Sequence, residues 1–220
     1  MGDNFMKILF LLPLFLLAAC TYAPSNHSSD IVFVYSLYDS LLREKKPDVF
    51  RVTHRPLGDS TYAVILNGNF FGVDAPMYNN EEIYRLKLGN DGIYTTCKGS
   101  FILTYAFAAG LDSDIVDEQK KCDPDWKFRY SHICFVEKKA YKNTEQILRY
   151  SEMSAEDAGM ASYYLKGFGF LSYDYSGRYN FILCRKSYNT GLADSVLQAI
   201  GDTLVRDSSF FVRHIINSQR

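Results

Sequence analysis

The chain's reactive chemistry rests on five cysteines and four histidines. Cys20 ends an apolar amino-terminal stretch, while Cys97, Cys122, Cys134 and Cys184 are spread through the remainder. Cys97 lies in Thr96-Cys97-Lys98-Gly99-Ser100, just ahead of the apolar run Ser100 to Gly110, which reads as a buried helix. A helix amino terminus lowers a thiol pKa through its free N–H groups and dipole, so this is where a nucleophilic cysteine is useful. His132 follows on an alternating segment, where a base can sit. The competing use is structural. Beyond Cys20 the cysteines are even in number, and an oxidising compartment would pair them as two disulfides. Three connectivities stay open. Cys122 with Cys134 closes the shorter loop and is favoured, which leaves Cys97 with Cys184. No two cysteines lie two to four residues apart, and only Cys134 stands close to a histidine, His132, so no zinc site is expected. No cofactor is expected either.

The order of a cysteine opening a helix and a histidine on a later strand resembles the NlpC-type papain-like peptidases, many of which are lipoproteins that cut peptidoglycan stems. That resemblance implies Cys97 as nucleophile and His132 as base. It covers about 40 residues. Thr96 stands where the family has Asp, Lys98-Gly99 where it has Ser-Gly, and Ile133-Cys134 where it has the rest of His-x-Gly.

Other catalytic patterns are absent from the sequence, among them the nucleophile elbow, the Walker loop and the dinucleotide-binding glycines. Asp112, Asp114 and Asp117 lack the spacing of a calcium loop and read as a solvated helix start. His27, His54 and His214 read as surface or half-buried residues. With 24 basic and 25 acidic residues and a net charge of -1, there is no basic face for nucleic acid.

The amino terminus carries a different chemistry. Lys7 precedes the apolar run Ile8 to Leu17, followed by Ala18-Ala19-Cys20. Charge, short apolar run and small residues are the parts of a secretory signal, and the run is too short to span a bilayer. Leu17-Ala18-Ala19-Cys20 resembles the lipobox of bacterial lipoproteins. The resemblance implies cleavage before Cys20, acylation of Cys20 and anchoring through lipid. Thr21 follows in place of the aspartate that retains many such proteins in the inner membrane, so the outer membrane, facing the periplasm, is expected. A Gram-positive plasma membrane is the alternative. Met6 is an alternative start to Met1, because Asp3 is acidic where such signals are basic.

The elements that must position these residues divide the chain as a signal over 1–19, a lipidated cysteine and flexible tether over 20–30, and one domain over 31–220. Ile31, Val34, Tyr35, Tyr38, Leu41 and Leu42 recur at helical spacing, although IVFVY also suits a strand. From Val49 to Cys97 the pattern is β. Turns are expected at Pro56 to Asp59, at Asn67-Gly68 and at Gly89 to Gly92. Trp126 to Val136 alternates as a strand. Helices are expected from Asn143 or Thr144 to Tyr150 and from Ser154 to Leu165. Phe168 to Tyr173 and Arg178 to Arg185 read as a second hairpin. A helix from about Gly191 to Val205 presents Leu192, Val196, Ile200 and Leu204, and Phe210 to Ile216 reads as a closing strand.

The expected fold is therefore a single α+β domain, mainly antiparallel sheet with a buried apolar helix and flanking helices, braced by disulfides. The expected function is that of a non-enzymatic, lipid-anchored accessory protein of the envelope, binding a protein partner or an envelope ligand. The alternative is a cysteine hydrolase using Cys97 and His132. A small-ligand carrier is the third possibility. It would require a deep apolar cavity lined by some of the 17 Tyr and 16 Phe.

Overall fold

The computed structural model describes residues 29–69, 77–108, 132–141, 145–153, 160–175 and 180–211. The expected signal, Cys20, most of the tether, the acidic segment at 112–118, Cys122, residues 126–131 and all but the first two residues of the closing strand lie outside them.

Segments rich in Val, Ile, Tyr and Phe suit a pleated surface, and here they form eleven strands. These are β1 (Ile31–Asp39), β2 (Glu44–Gly58), β3 (Thr61–Asn69), β4 (Met77–Leu88), β5 (Gly92–Cys97), β6 (Ser100–Ala106), β7 (His132–Tyr141), β8 (Glu145–Met153), β9 (Met160–Leu165), β10 (Gly169–Tyr175) and β11 (Asn180–Tyr188). They make one sheet in the order β6-β5-β4-β3-β2-β1-β11-β10-β9-β8-β7, with every pairing antiparallel. The sheet is rolled. Its outermost strands, β6 and β7, come together, and the Tyr150 hydroxyl on β8 donates to the Ala106 carbonyl at the end of β6 at 2.7 Å.

One helix, α1 (Asp194–Arg206), is present among the described residues. It lies where the periodicity places it, with Leu197, Ile200, Leu204 and Val205 buried. Val196, expected on the buried stripe, is exposed. Gly201 lets the helix approach β11, since a Cβ there would stand 3.3 Å from Leu183. Arg185 pairs with Asp202 at 2.7 Å, and the Ser187 N–H donates to the Asp194 carboxylate at 3.1 Å. Beyond the helix, Phe210 and Phe211 are buried against Tyr163. Asp207 accepts from Lys139 and from the Tyr141 hydroxyl, and these bonds hold its carboxyl well below the usual range, Lys139 contributing most. Helix and exit turn together cover the outer face of the sheet's carboxyl-terminal half.

This architecture corrects the α+β expectation. The supposed buried helix from Ser100 is β6, the helical reading from Ile31 is β1, and the segments ending at Tyr150 and Leu165 carry β8 and β9. The cause is visible in β1, where Val32 and Val34 on one face and Phe33 and Tyr35 on the other are all buried. A strand covered on both faces loses its polar alternation and reads as a continuous apolar run, which periodicity cannot tell from a buried helix. Asn67-Gly68 is not a hairpin turn either. Gly68 has φ +101° but sits inside β3 opposite Phe50, where the pairing with β4 slips by a residue. A Cβ there would meet the Val49 carbonyl at 2.3 Å, so only glycine fits.

Bracing by two disulfides is also overturned. Cys184 is a free, fully buried thiol on β11, so the four cysteines do not form two pairs. A Cys97–Cys184 bridge therefore does not exist. Burial pushes the Cys184 thiol up to about 12, and it packs as a small apolar residue.

Candidate ligand cavity

Strand alternation sends every second side chain to the inside of the roll. There the inward residues of seven strands enclose a cavity of about 180 Å³. Phe33 and Tyr35 come from β1, Phe50, Val52 and His54 from β2, Leu66 from β3, and Tyr78, Tyr84 and Leu86 from β4. Ile93, Thr95, Tyr105, Phe170 and Tyr173 from β5, β6 and β10 complete the lining. None of these is a lysine, arginine, aspartate or glutamate.

Rings build the wall. Phe33 meets His54 edge-on at 5.0 Å and Phe168 at 5.2 Å. Phe170 stacks on Tyr173 at 5.0 Å and meets Tyr105 at 5.0 Å and Tyr164 at 5.1 Å. Tyr105 in turn meets Tyr150 at 5.0 Å. Tyr105 is on β6 at one end of the sheet order and Tyr150 on β8 next to the other, so their contact spans the closure of the roll. Each such pair adds about 0.5–1.5 kcal/mol beyond burial.

Four polar residues of the wall, Tyr35, Tyr84, Tyr173 and His54, are neutral at pH 7. Burial pushes the Tyr35 and Tyr173 hydroxyls well above their ordinary value and Tyr84 up to about 12. Burial pulls His54 down to about 4, so its imidazole carries no charge. The Tyr35 hydroxyl donates to the Phe170 carbonyl at 2.8 Å, and Thr95 and Thr104 share a hydrogen bond at 2.7 Å. Among the described residues the side chains of His54, Tyr78 and Tyr84 have no hydrogen-bond partner. A ring-lined cavity without Lys, Arg, Asp or Glu and with a few polar groups is suited to holding a small ligand.

The residues singled out from sequence lie elsewhere. Cys97 ends β5 at the tight turn Lys98-Gly99, and the element after it is a strand, so the helix terminus that would activate its thiol is missing. It is not a free thiol. His132 opens β7, at the same end of the roll as Cys97 but with β6 between their strands. Cys134 is also on β7, and Cys184 is on β11 beside Tyr35. Among the described residues no cluster of three His, Cys, Asp or Glu could hold a metal. The residue sequence reasoning missed is His54. Its signal was the two-residue step Phe50, Val52, His54, which puts the histidine on the same face as two core residues.

No family model matches the sequence, and neither a curated protein nor a solved structure shows a significant match to it.

Proposed function

We propose that this chain is a non-enzymatic, lipid-anchored protein of the bacterial envelope that holds a small apolar ligand inside its rolled sheet. The observation that carries the reading is the cavity, lined by rings from both halves of the sheet order and without Lys, Arg, Asp or Glu in its wall. Its size is comparable to that of an apolar cavity that accepts benzene, which sets the guest at one ring or a short stretch of alkyl chain. The lipobox at Leu17 to Cys20 supports placement at a membrane surface, the outer membrane being proposed from Thr21.

Toluene titrated into the full chain carrying Cys20→Ser, purified without detergent, should bind saturably. Val52 is buried in the cavity wall, and Val52→Phe adds a ring to that space. This variant should lose at least about tenfold in toluene affinity while its melting midpoint moves by no more than about 4 °C. Absence of saturable binding by the unsubstituted cavity, or equal binding by Val52→Phe, would overturn the reading.

A further inference from the structure

Resting on that reading, we infer that the ligand is an uncharged molecule that carries a hydroxyl or carbonyl on its apolar body, recognised by His54 and Tyr84. The two residues share a cross-strand row. His54 on β2 pairs with Val64 on β3, and Val64 pairs with Tyr84 on β4. Two inter-strand spacings separate their backbones by about 10 Å, with the fully buried Val64 between them. Both side chains line the cavity, and neither has a hydrogen-bond partner among the described residues, whereas Tyr35 and Thr95 on the same wall are bonded within the protein.

His54 and Tyr84 are half-buried, and a guest in the cavity can supply the bond that their polar atoms lack. A neutral imidazole offers one donor and one acceptor, and a phenol offers both. A guest hydroxyl can therefore donate to one residue and accept from the other, and a guest carbonyl can accept from either. A hydrocarbon leaves both unpaired. A charged guest is excluded, because it would give up its hydration without gaining a counter-charge. Tyr78, also unpartnered, stands beside Phe50 with ring centroids 6.3 Å apart. It sits in the row of Phe50 and Gly68, away from the His54 row, and serves as the control.

The experiment compares benzyl alcohol with toluene, titrated into the full chain carrying Cys20→Ser and into its Tyr84→Phe, His54→Phe and Tyr78→Phe variants. The ratio of the two affinities cancels the general effect of each substitution on the cavity. Tyr84→Phe and His54→Phe should each lower the preference for benzyl alcohol about five- to tenfold, with toluene affinity retained. Tyr78→Phe should leave the preference unchanged. Benzyl alcohol, but not toluene, should shift the imidazole ¹⁵N resonances of His54. Should His54→Phe disturb the cavity so that toluene no longer binds, Tyr84→Phe and the resonances decide. Toluene binding with a preference unmoved by either substitution, or lost only in Tyr78→Phe, overturns this inference and leaves the proposed function standing. No toluene binding by the unsubstituted cavity overturns both.

Discussion

Replacing Asp174 with asparagine should stabilise the protein by about 4 kcal/mol at pH 8, and by less than about 1 kcal/mol near pH 4. Asp174 lies on β10 between Ala161 and Phe181. It is 4% exposed, and its Oδ2 has no hydrogen-bond partner. Burial raises its carboxyl to about 7. Between the ordinary aspartate value and 7 the folded chain therefore holds a proton that the unfolded chain has lost, and stability falls as pH rises through that window. Asparagine keeps the shape and removes the ionisation. His54 works in the opposite sense. Its folded value of about 4 lies below the ordinary 6.5, so the unfolded chain takes up the proton first and stability falls as pH drops from about 6.5 to 4, by about 3 kcal/mol. In the wild-type chain these two groups nearly cancel across that range. Urea titrations from pH 4 to 8 should give a flat contribution from the pair in the wild type and a stability that climbs with pH in Asp174→Asn. A variant parallel to wild type at every pH would show that Asp174 is ionised in the fold.

The second large effect should come from the outer layer. Leu204→Ala should cost about 2–5 kcal/mol, the range for emptying a fully buried leucine site. Leu204 is completely buried between α1 and the sheet, as is Leu197 two turns earlier on the same face. Val196→Ala, on the exposed side of the same helix, should change stability by no more than about 0.5 kcal/mol. Because α1 packs on the face of β11 that carries Leu183, and the cavity is on the other face, Leu204→Ala should leave toluene affinity within about twofold at temperatures where the chain is folded. A tenfold loss would mean that the two faces are coupled through the sheet.

These contrasts also mark how much was legible in advance. The helix was visible because Leu192, Val196, Ile200 and Leu204 recur in four-residue steps, though Val196 is exposed and Leu197, not in that row, is buried. The β5 and β11 hairpins were visible because polar turn residues separate short runs. The β pattern from Val49 to Cys97 was also visible and carries most of β2 and all of β3 to β5, whereas β1 was hidden at Phe33 to Tyr35, since burial on both faces erases the period of two. Asn67-Gly68 announced a positive φ correctly, but a positive φ serves a bulge as well as a turn. The expectation of two disulfides came from an even count and an oxidising compartment, and neither shows that Cys184 is buried as a free thiol. The cavity was the least legible feature. Its lining comes from seven strands, and only the register tells which Tyr and Phe face one another.

The order of the strands bears on how such a chain reaches this state. Every pairing but one joins neighbours in sequence. The exception, β1 with β11, lies at the centre of the sheet and brings together residues such as Tyr35 and Cys184. Strands β1–β6 and β7–β11 are thus two meanders, each able to zip up through local hairpins, and the entropy of closing a long loop is incurred once, when the first strand meets the last. That meeting also creates the space between the meanders, since Tyr35 and Phe170 line it from opposite sides of the seam. The acquisition of a ligand-competent interior should therefore coincide with the slowest, least local event in folding, and a chain stalled before it would carry well-formed hairpins and no binding site.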